Sequence, residues 1–250
     1  MSGHSKWSKI KRKKGALDAR RSNIFSRLAK EITVAVKEGG ISDPSMNARL
    51  RIAVLNAKGQ NMPKDNIDRA ISKGEKDGGD LSEIFLEAYG IGRVAVYVEC
   101  LSDNNNRTVA DIRHIITKRG GALTSKGSLN FIFDRKGVFS ILIKENINLD
   151  DLELEFIEAG AEDIDTEEDI ITVTTAFEDF GKFNKKLEEL KIEPQKAELQ
   201  RVPRVDKRLS VSESKIILRM IEELEDNEDV QNVYHNLEMT DELELALEDE

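Results

Sequence analysis

Between residues 137 and 201 the apolar pattern switches repeatedly between period two and period 3.6, and the order of the switches permits few folds. Gly137–Ile143 alternates as a strand. Leu149–Ala159 carries a helical stripe closed by Gly160. Glu162–Asp165 and Ile170–Thr175 read as strands, and Phe177–Lys191 reads as a helix built on Phe180, Phe183, Leu187 and Leu190. Gln195–Arg201 is a last strand. The order β-α-β-β-α-β is that of a ferredoxin-like unit, in which each helix crosses over one strand of a four-stranded sheet.

The flanks hold pieces of a second such unit. Val94–Cys100 reads as a strand, and Asp103-Asn104-Asn105-Asn106 supplies N-cap oxygens for a helix carrying Val109, Ile112, Ile115 and Ile116. Gly120-Gly121 ends that helix, and strands are expected near Ala122–Ser125 and Asn130–Asp134. After Pro203, Ser210 and Glu213 have capping-box spacing. Ile217, Met220, Ile221 and Leu224 form the apolar face of the helix that follows, and Val230–Leu237 is a strand. This α-β pair supplies what the earlier β-α-β-β lacks, so the middle unit is expected to be inserted in a split one. The rival layout is two consecutive domains with a stray C-terminal hairpin.

The first 80 residues are helical in pattern. Ile24, Phe25, Leu28, Ile32, Ala35 and Val36 share one arc of a helix expected over about 16–37, with Arg27, Lys30 and Lys37 opposite. A second helix is expected from about Ser45 to Lys58, burying Leu50, Val54 and Ala57, and a third from Pro63 to Gly74. Lys76–Asp80 reads as a linker. The fold class is therefore α+β: a basic three-helix N-terminal domain (1–80), a split ferredoxin-like domain (81–135 and 204–240), an inserted one (136–203) and a disordered acidic tail (241–250).

The net charge of −10 conceals a segregation. Residues 1–80 hold 18 Lys/Arg against nine Asp/Glu, net +9, and residues 81–250 hold 20 against 39, net −19. Such asymmetry marks a polyanion-binding end on an acidic body. Lys6, Lys9, Lys11, Arg12, Lys13 and Lys14 crowd the first residues, where mutual repulsion is expected to keep the arm mobile until phosphate neutralises it. Trp7, the only tryptophan, either stacks on a base or anchors the arm to the helical domain. The candidate nucleic-acid-binding residues are Lys6, Trp7, Lys9, Lys11, Arg12, Lys13, Lys14, Arg20, Arg21, Arg27, Lys30 and Lys64. The last sits in a helix entry, Asn61–Ile67, suited to phosphate.

No catalytic constellation stands out. Gly90-Ile91-Gly92 precedes a strand where a dinucleotide fingerprint would follow one. Cys100 is expected to be a small buried hydrophobe, and one cysteine allows no intrachain disulfide. Three scattered histidines give no zinc spacing, and no apolar run suits a membrane span or a secretory signal. The reading is a cytoplasmic non-enzyme with no metal or cofactor, no membrane partner and no small-molecule substrate.

Several blocks together resemble the YebC/PmpR family, which includes mitochondrial translational activators. They are Gly3-His4-Ser5-Lys6-Trp7, Ala35–Gly40, Asn61–Ile67, Val98–Leu101, Asp103, Asn106–Val109, Phe133–Gly137, Leu224–Asp226 and Asp229–Asn236. The family often has Tyr-Gly-Pro-Gly-Gly where this chain has Tyr89-Gly90-Ile91-Gly92-Arg93. The resemblance implies a helical N-terminal domain, two α/β domains and a role in gene expression. With the motif starting at residue 3, a bacterial cytoplasmic member is the expectation. Family members are called DNA-binding transcriptional regulators; others look like ribosome-associated factors that assist translation of proline-rich stretches. The first expectation is thus a DNA-binding regulator. The alternative is a translation factor docked on ribosomal RNA, with the ribosome as partner. An enzyme using an interdomain cleft and a pure protein scaffold are the remaining classes.

Overall fold

The computed structural model describes residue 7 and residues 17–76, 81–142, 149–167 and 169–248, without the side chains of 17–20, 149–151 and 248. Three helices come first: α1 (Leu17–Gly39), α2 (Ala48–Gly59) and α3 (Lys64–Glu75). Then follow β1 (Ser82–Tyr89), β2 (Ala95–Ser102), α4 (Asn105–Lys118), β3 (Ala122–Thr124), β4 (Phe133–Leu142), α5 (Leu149–Glu158), β5 (Ala161–Glu167) and β6 (Ile170–Ala176). The chain continues through α6 (Phe180–Glu189), β7 (Lys196–Pro203), α7 (Val211–Asp226), β8 (Val230–His235) and α8 (Asp241–Glu248). The fold is α+β, with two four-stranded sheets, the second inserted in sequence between β3 and α7 of the first.

By contacts the chain divides into two compact units. One holds 1–30, 78–134 and 202–250; the other holds 31–77 and 135–201. In the first unit the sheet order is β3-β1-β2-β8, all pairs antiparallel. Ala88 of β1, Val96, Val98 and Cys100 of β2 and Val233 of β8 point at α4 and α7, and form one cluster with Ile112, Ile116 and the α7 face. Ala95, Tyr97 and Tyr234 point the other way, beneath Leu129 and Phe133.

Two sequence expectations change here. The fourth strand is β1, ahead of β2, and 128–132 form a turn that runs into the single long strand β4. The unit is thus β-β-α-β…α-β rather than β-α-β-β…α-β. In β1, Ile84, Leu86 and Ala88 face the core, while Phe85 and Tyr89 share the other face with Glu83 and Glu87, which blurs the polar–apolar alternation of Ser82–Tyr89. Its Glu87 is buried and accepts the Gly127 and Leu129 N–H groups at 2.7 Å each, holding the covering turn.

The second unit has order β5-β6-β4-β7, the ferredoxin-like layout expected from the sequence. Its core centres on Phe139, Phe156 and Phe183, and Ile52 and Leu55 of α2 extend it. Asn56 of α2 satisfies both polar groups of Ala197 at 2.9 Å, so α2 pairs with the edge strand β7 as another strand would. A methyl on Gly59 would overlap the Gln195 carbonyl oxygen, which accounts for glycine at that helix end. In α1, Ile32 to Val36 are all buried, so this half of the helix has no exposed arc.

The acidic tail is the third change: 241–248 form α8, with Leu243 and Leu247 in the first unit's core. Acids do not prevent this, because Asp241, Glu242 and Glu244 stand in the first turn, where the helix dipole favours them. Thr240 Oγ1 accepts the Leu243 N–H at 3.3 Å, and Lys215 Nζ donates to the Ala246 carbonyl at 3.0 Å near the other end. Residues 249–250 lie outside the described residues. We expect Leu243→Ala to cost about 2–4 kcal/mol in urea unfolding, as for a core leucine. A loss within about 0.5 kcal/mol would place the segment outside the core.

Candidate nucleic-acid interface

Asp229, in the turn before β8, is the most heavily bonded side chain near the candidate residues. Its Oδ1 accepts Lys30 Nζ at 2.8 Å. Its Oδ2 accepts an Arg107 guanidinium N–H at 2.9 Å and the Thr108 hydroxyl at 2.7 Å, with Ser102 Oγ at 3.1 Å. Lys30 Nζ also donates to the carbonyls of Glu228 at 2.9 Å and Leu101 at 3.3 Å. Asn104 caps α4 by accepting the Arg107 N–H, as its sequence position implied. Burial of Asp229 would raise its pKa, but the hydrogen bonds from Lys30, Arg107 and Thr108 outweigh it and hold the carboxyl at about 2.

The candidate residues therefore divide. Lys6, Lys9, Lys11, Arg12, Lys13 and Lys14 lie outside the described residues, as does the side chain of Arg20. Trp7 is 7% exposed and sits in the cluster over the first sheet, so its ring faces are occupied by core side chains. Arg27 is half-buried; burial lowers its pKa, and Glu225 and Asp226 pull it back up. Lys30 spends its three N–H bonds inside the first unit. Of the described candidates, Arg21, 5.4 Å over the Phe25 ring, and Lys64, at the start of α3, are exposed.

The wheel placed Arg27 and Lys30 on a polar arc correctly but gave no hint that the arc is covered. The signal in the sequence is Asp229, an acid next to a strand, with Arg107-Thr108 after a helix cap; both fall in blocks that carry the family resemblance, but their pairing across 122 residues is not legible there. Cys100 is buried, and burial, followed by Asp229 and Glu99, pushes its thiol up to about 12, so it stays protonated. Among the described residues no group of three or more His, Cys, Asp and Glu side chains could hold a metal ion.

Two outcomes are expected. Asp229→Asn removes the charge from between two cations and should cost about 3 kcal/mol at neutral pH. Because the folded pKa is depressed, this stability is fully present above about pH 4 and is lost as pH falls toward about 2. The gap between wild type and variant in denaturant titrations should therefore close through that window; a gap independent of pH would mean the carboxylate is not charged when folded. Second, emission from the sole tryptophan should be blue-shifted and unchanged by added nucleic acid. Quenching would show that the ring leaves the core to stack.

Residues 5–77 match the family model described as "TACO1/YebC protein N-terminal domain", and residues 81–237 match "TACO1/YebC second and third domain". A "Probable transcriptional regulatory protein" of Syntrophus aciditrophicus is 49% identical over 247 residues, covering 97% of this chain and 98% of that one. A protein of the same name from Amoebophilus asiaticus is 48% identical over 240 residues, covering 95% and 98%. The crystal structure of a conserved hypothetical protein from Aquifex aeolicus, 36% identical, superposes with a TM-score of 0.80 over 90% of this chain and 93% of that one. With both family models matched in order along nearly its whole length, the chain belongs to the TACO1/YebC family.

Proposed function

We propose that this chain is a non-enzymatic regulator of gene expression that binds nucleic acid through the basic residues of its first 80 positions. The observation that carries the reading is the charge segregation, +9 in residues 1–80 against −19 in the rest. Lys9, Lys11, Arg12, Lys13 and Lys14 fall in sequence between Trp7, which is buried, and Leu17, where α1 starts. The remaining acidic surface repels nucleic acid and so orients the basic end toward it.

The relatives' name points to transcription, and with it to DNA as the target. The second reading, a translation factor on ribosomal RNA, is favoured by α3. It follows α2 after a short turn, as a groove-reading helix would, but it carries three bases (Lys64, Arg69, Lys73) and three acids (Asp65, Asp68, Glu75). A helix of zero net charge is poorly suited to a major groove. Recognition of RNA shape or of an assembled particle needs no such helix. Either way the reading includes a cytoplasmic location, no resident cofactor and no small-molecule substrate. It keeps 1–80, the split and the inserted domains as the working parts. No described helix is long and apolar enough to cross a membrane.

Co-sedimentation with ribosomes at physiological salt, with excess duplex DNA as competitor, tests this. Wild-type protein should pellet with ribosomes, and Lys11→Glu/Arg12→Glu/Lys13→Glu should not. If duplex DNA strips the wild type, DNA is the target. If the variant binds as well as the wild type in both arms, the basic run is not the interface.

A further inference from the structure

Among the short stretches of opposite sign in the acidic body is Arg201-Val-Pro-Arg-Val-Asp-Lys-Arg208, which lies outside the basic N-terminal region. Its part in the first unit runs between β7 and α7 with its main chain held. The Arg204 N–H donates to the Ile132 carbonyl at 2.8 Å. Asn236 Nδ2 donates to the Val205 carbonyl at 3.2 Å. The Lys207 N–H donates to Asn236 O at 2.6 Å, and Lys207 O accepts the Glu238 N–H at 3.0 Å. With the backbone occupied, the side chains of Arg204, Val205, Lys207 and Arg208 are exposed, Val205 by 72%.

The two ends of this rail meet further groups. Leu209 turns inward against Gly92, which brings Arg208 to the turn holding Arg93. Arg93 has φ +63, the left-handed region that side chains rarely adopt, and its guanidinium lies 4.8 Å over the Tyr89 ring. A strained backbone under a fixed arginine is a common property of functional positions. At the other end Phe131, next to the Ile132 that holds Arg204, is 66% exposed.

The charges are available. Arg204 pairs with Asp134 at 2.7 Å, but Arg93, Lys207 and Arg208 form no ion pair among the described residues. Elsewhere in the same acidic half some cations are neutralised, Lys118 and Arg119 by Glu223, Lys136 by Glu162 and Lys186 by Glu155, while Arg113, Lys126, Lys191 and Arg219 also form no ion pair among the described residues. The acids on the rail itself are Asp206 and Glu238.

We propose that residues 204–208, with Arg93 and Phe131, form a second nucleic-acid contact that holds the phosphate backbone of single-stranded RNA. The proposal rests on the nucleic-acid reading above. Three unpaired cations on a fixed main chain match a polyphosphate strand, and Phe131 offers a ring face to an unpaired base. Duplex DNA, with its bases stacked and paired, cannot use that face. The rail spans at most about 14 Å.

The test is fluorescence anisotropy of the full chain with a labelled single-stranded RNA of about 20 nucleotides, across a salt series, with duplex DNA in parallel. The variants are Arg93→Gly/Lys207→Ala/Arg208→Ala and Phe131→Ala, beside the Lys11→Glu/Arg12→Glu/Lys13→Glu variant. Glycine relieves the left-handed backbone, and the other sites are exposed, so melting curves should match the wild type. The rail variant should lose about tenfold or more in RNA affinity, and its salt slope should fall by about 2. Phe131→Ala should weaken RNA binding with no change in slope, and leave duplex DNA unaffected. If the wild type binds RNA and the rail variant keeps both affinity and slope, the rail is overturned while the arm reading stands. If the variants weaken duplex DNA and not RNA, the occupant is wrong. If the wild type binds neither nucleic acid, both readings fall together.

Discussion

The carboxylate of Asp229 is the point on which the first unit turns. It is buried, yet charged, because Lys30 and Arg107 stand on either side and two hydroxyls complete its shell. An ion this buried is tolerable only with its full complement of partners, since desolvation costs several kcal/mol and each missing bond adds to that. The partners come from α1, from the end of β2 and from the first turn of α4, and the acid itself stands in the turn before β8. One acid therefore joins three parts of the chain far apart in sequence, around residues 30, 102–108 and 229.

That arrangement separates two uses of basic charge. Lys30 is bound to a buried carboxylate and two carbonyls, so a phosphate would have to compete with these partners for it. Arg27, close to Glu225 and Asp226, is placed similarly. Lys9, Lys11, Arg12, Lys13 and Lys14 follow Trp7 in sequence, and Trp7 itself packs in the core of the first unit.

Most of the fold was legible in the sequence where one face of an element is wet. The inserted unit alternates cleanly, with Ile171, Val173 and Thr175 buried between half-buried neighbours, and its six elements were readable in order. Legibility failed where an element is covered twice. The Ile32–Val36 stretch of α1 loses its period because all of it is packed, whereas β1 is blurred by Phe85 and Tyr89 on the face of Glu83 and Glu87. It failed again where composition outweighed position. The acids of 241–248 suggested disorder, yet Leu243 and Leu247 are spaced i, i+4 and the early acids suit a helix N-terminus. For the interface, charge distribution was readable and charge pairing was not, because Lys30 and Asp229 are 199 residues apart in the chain.

The same distinction bears on the acidic half. A surface of net −19 would be expected to neutralise nearly every cation on it, and many are paired. Arg93, Lys207 and Arg208 are not, nor are Arg113, Lys126, Lys191 and Arg219 among the described residues. What sets residues 204–207 apart is a main chain fixed by backbone bonds to Ile132, Asn236 and Glu238, on which Arg204 reaches Asp134 while Lys207 stays unpaired. Asn236 is the pivot, since its Oδ1 also accepts the Ala95 N–H at 2.8 Å and so ties this stretch to the start of β2. One amide side chain thus fixes where a row of exposed cations begins.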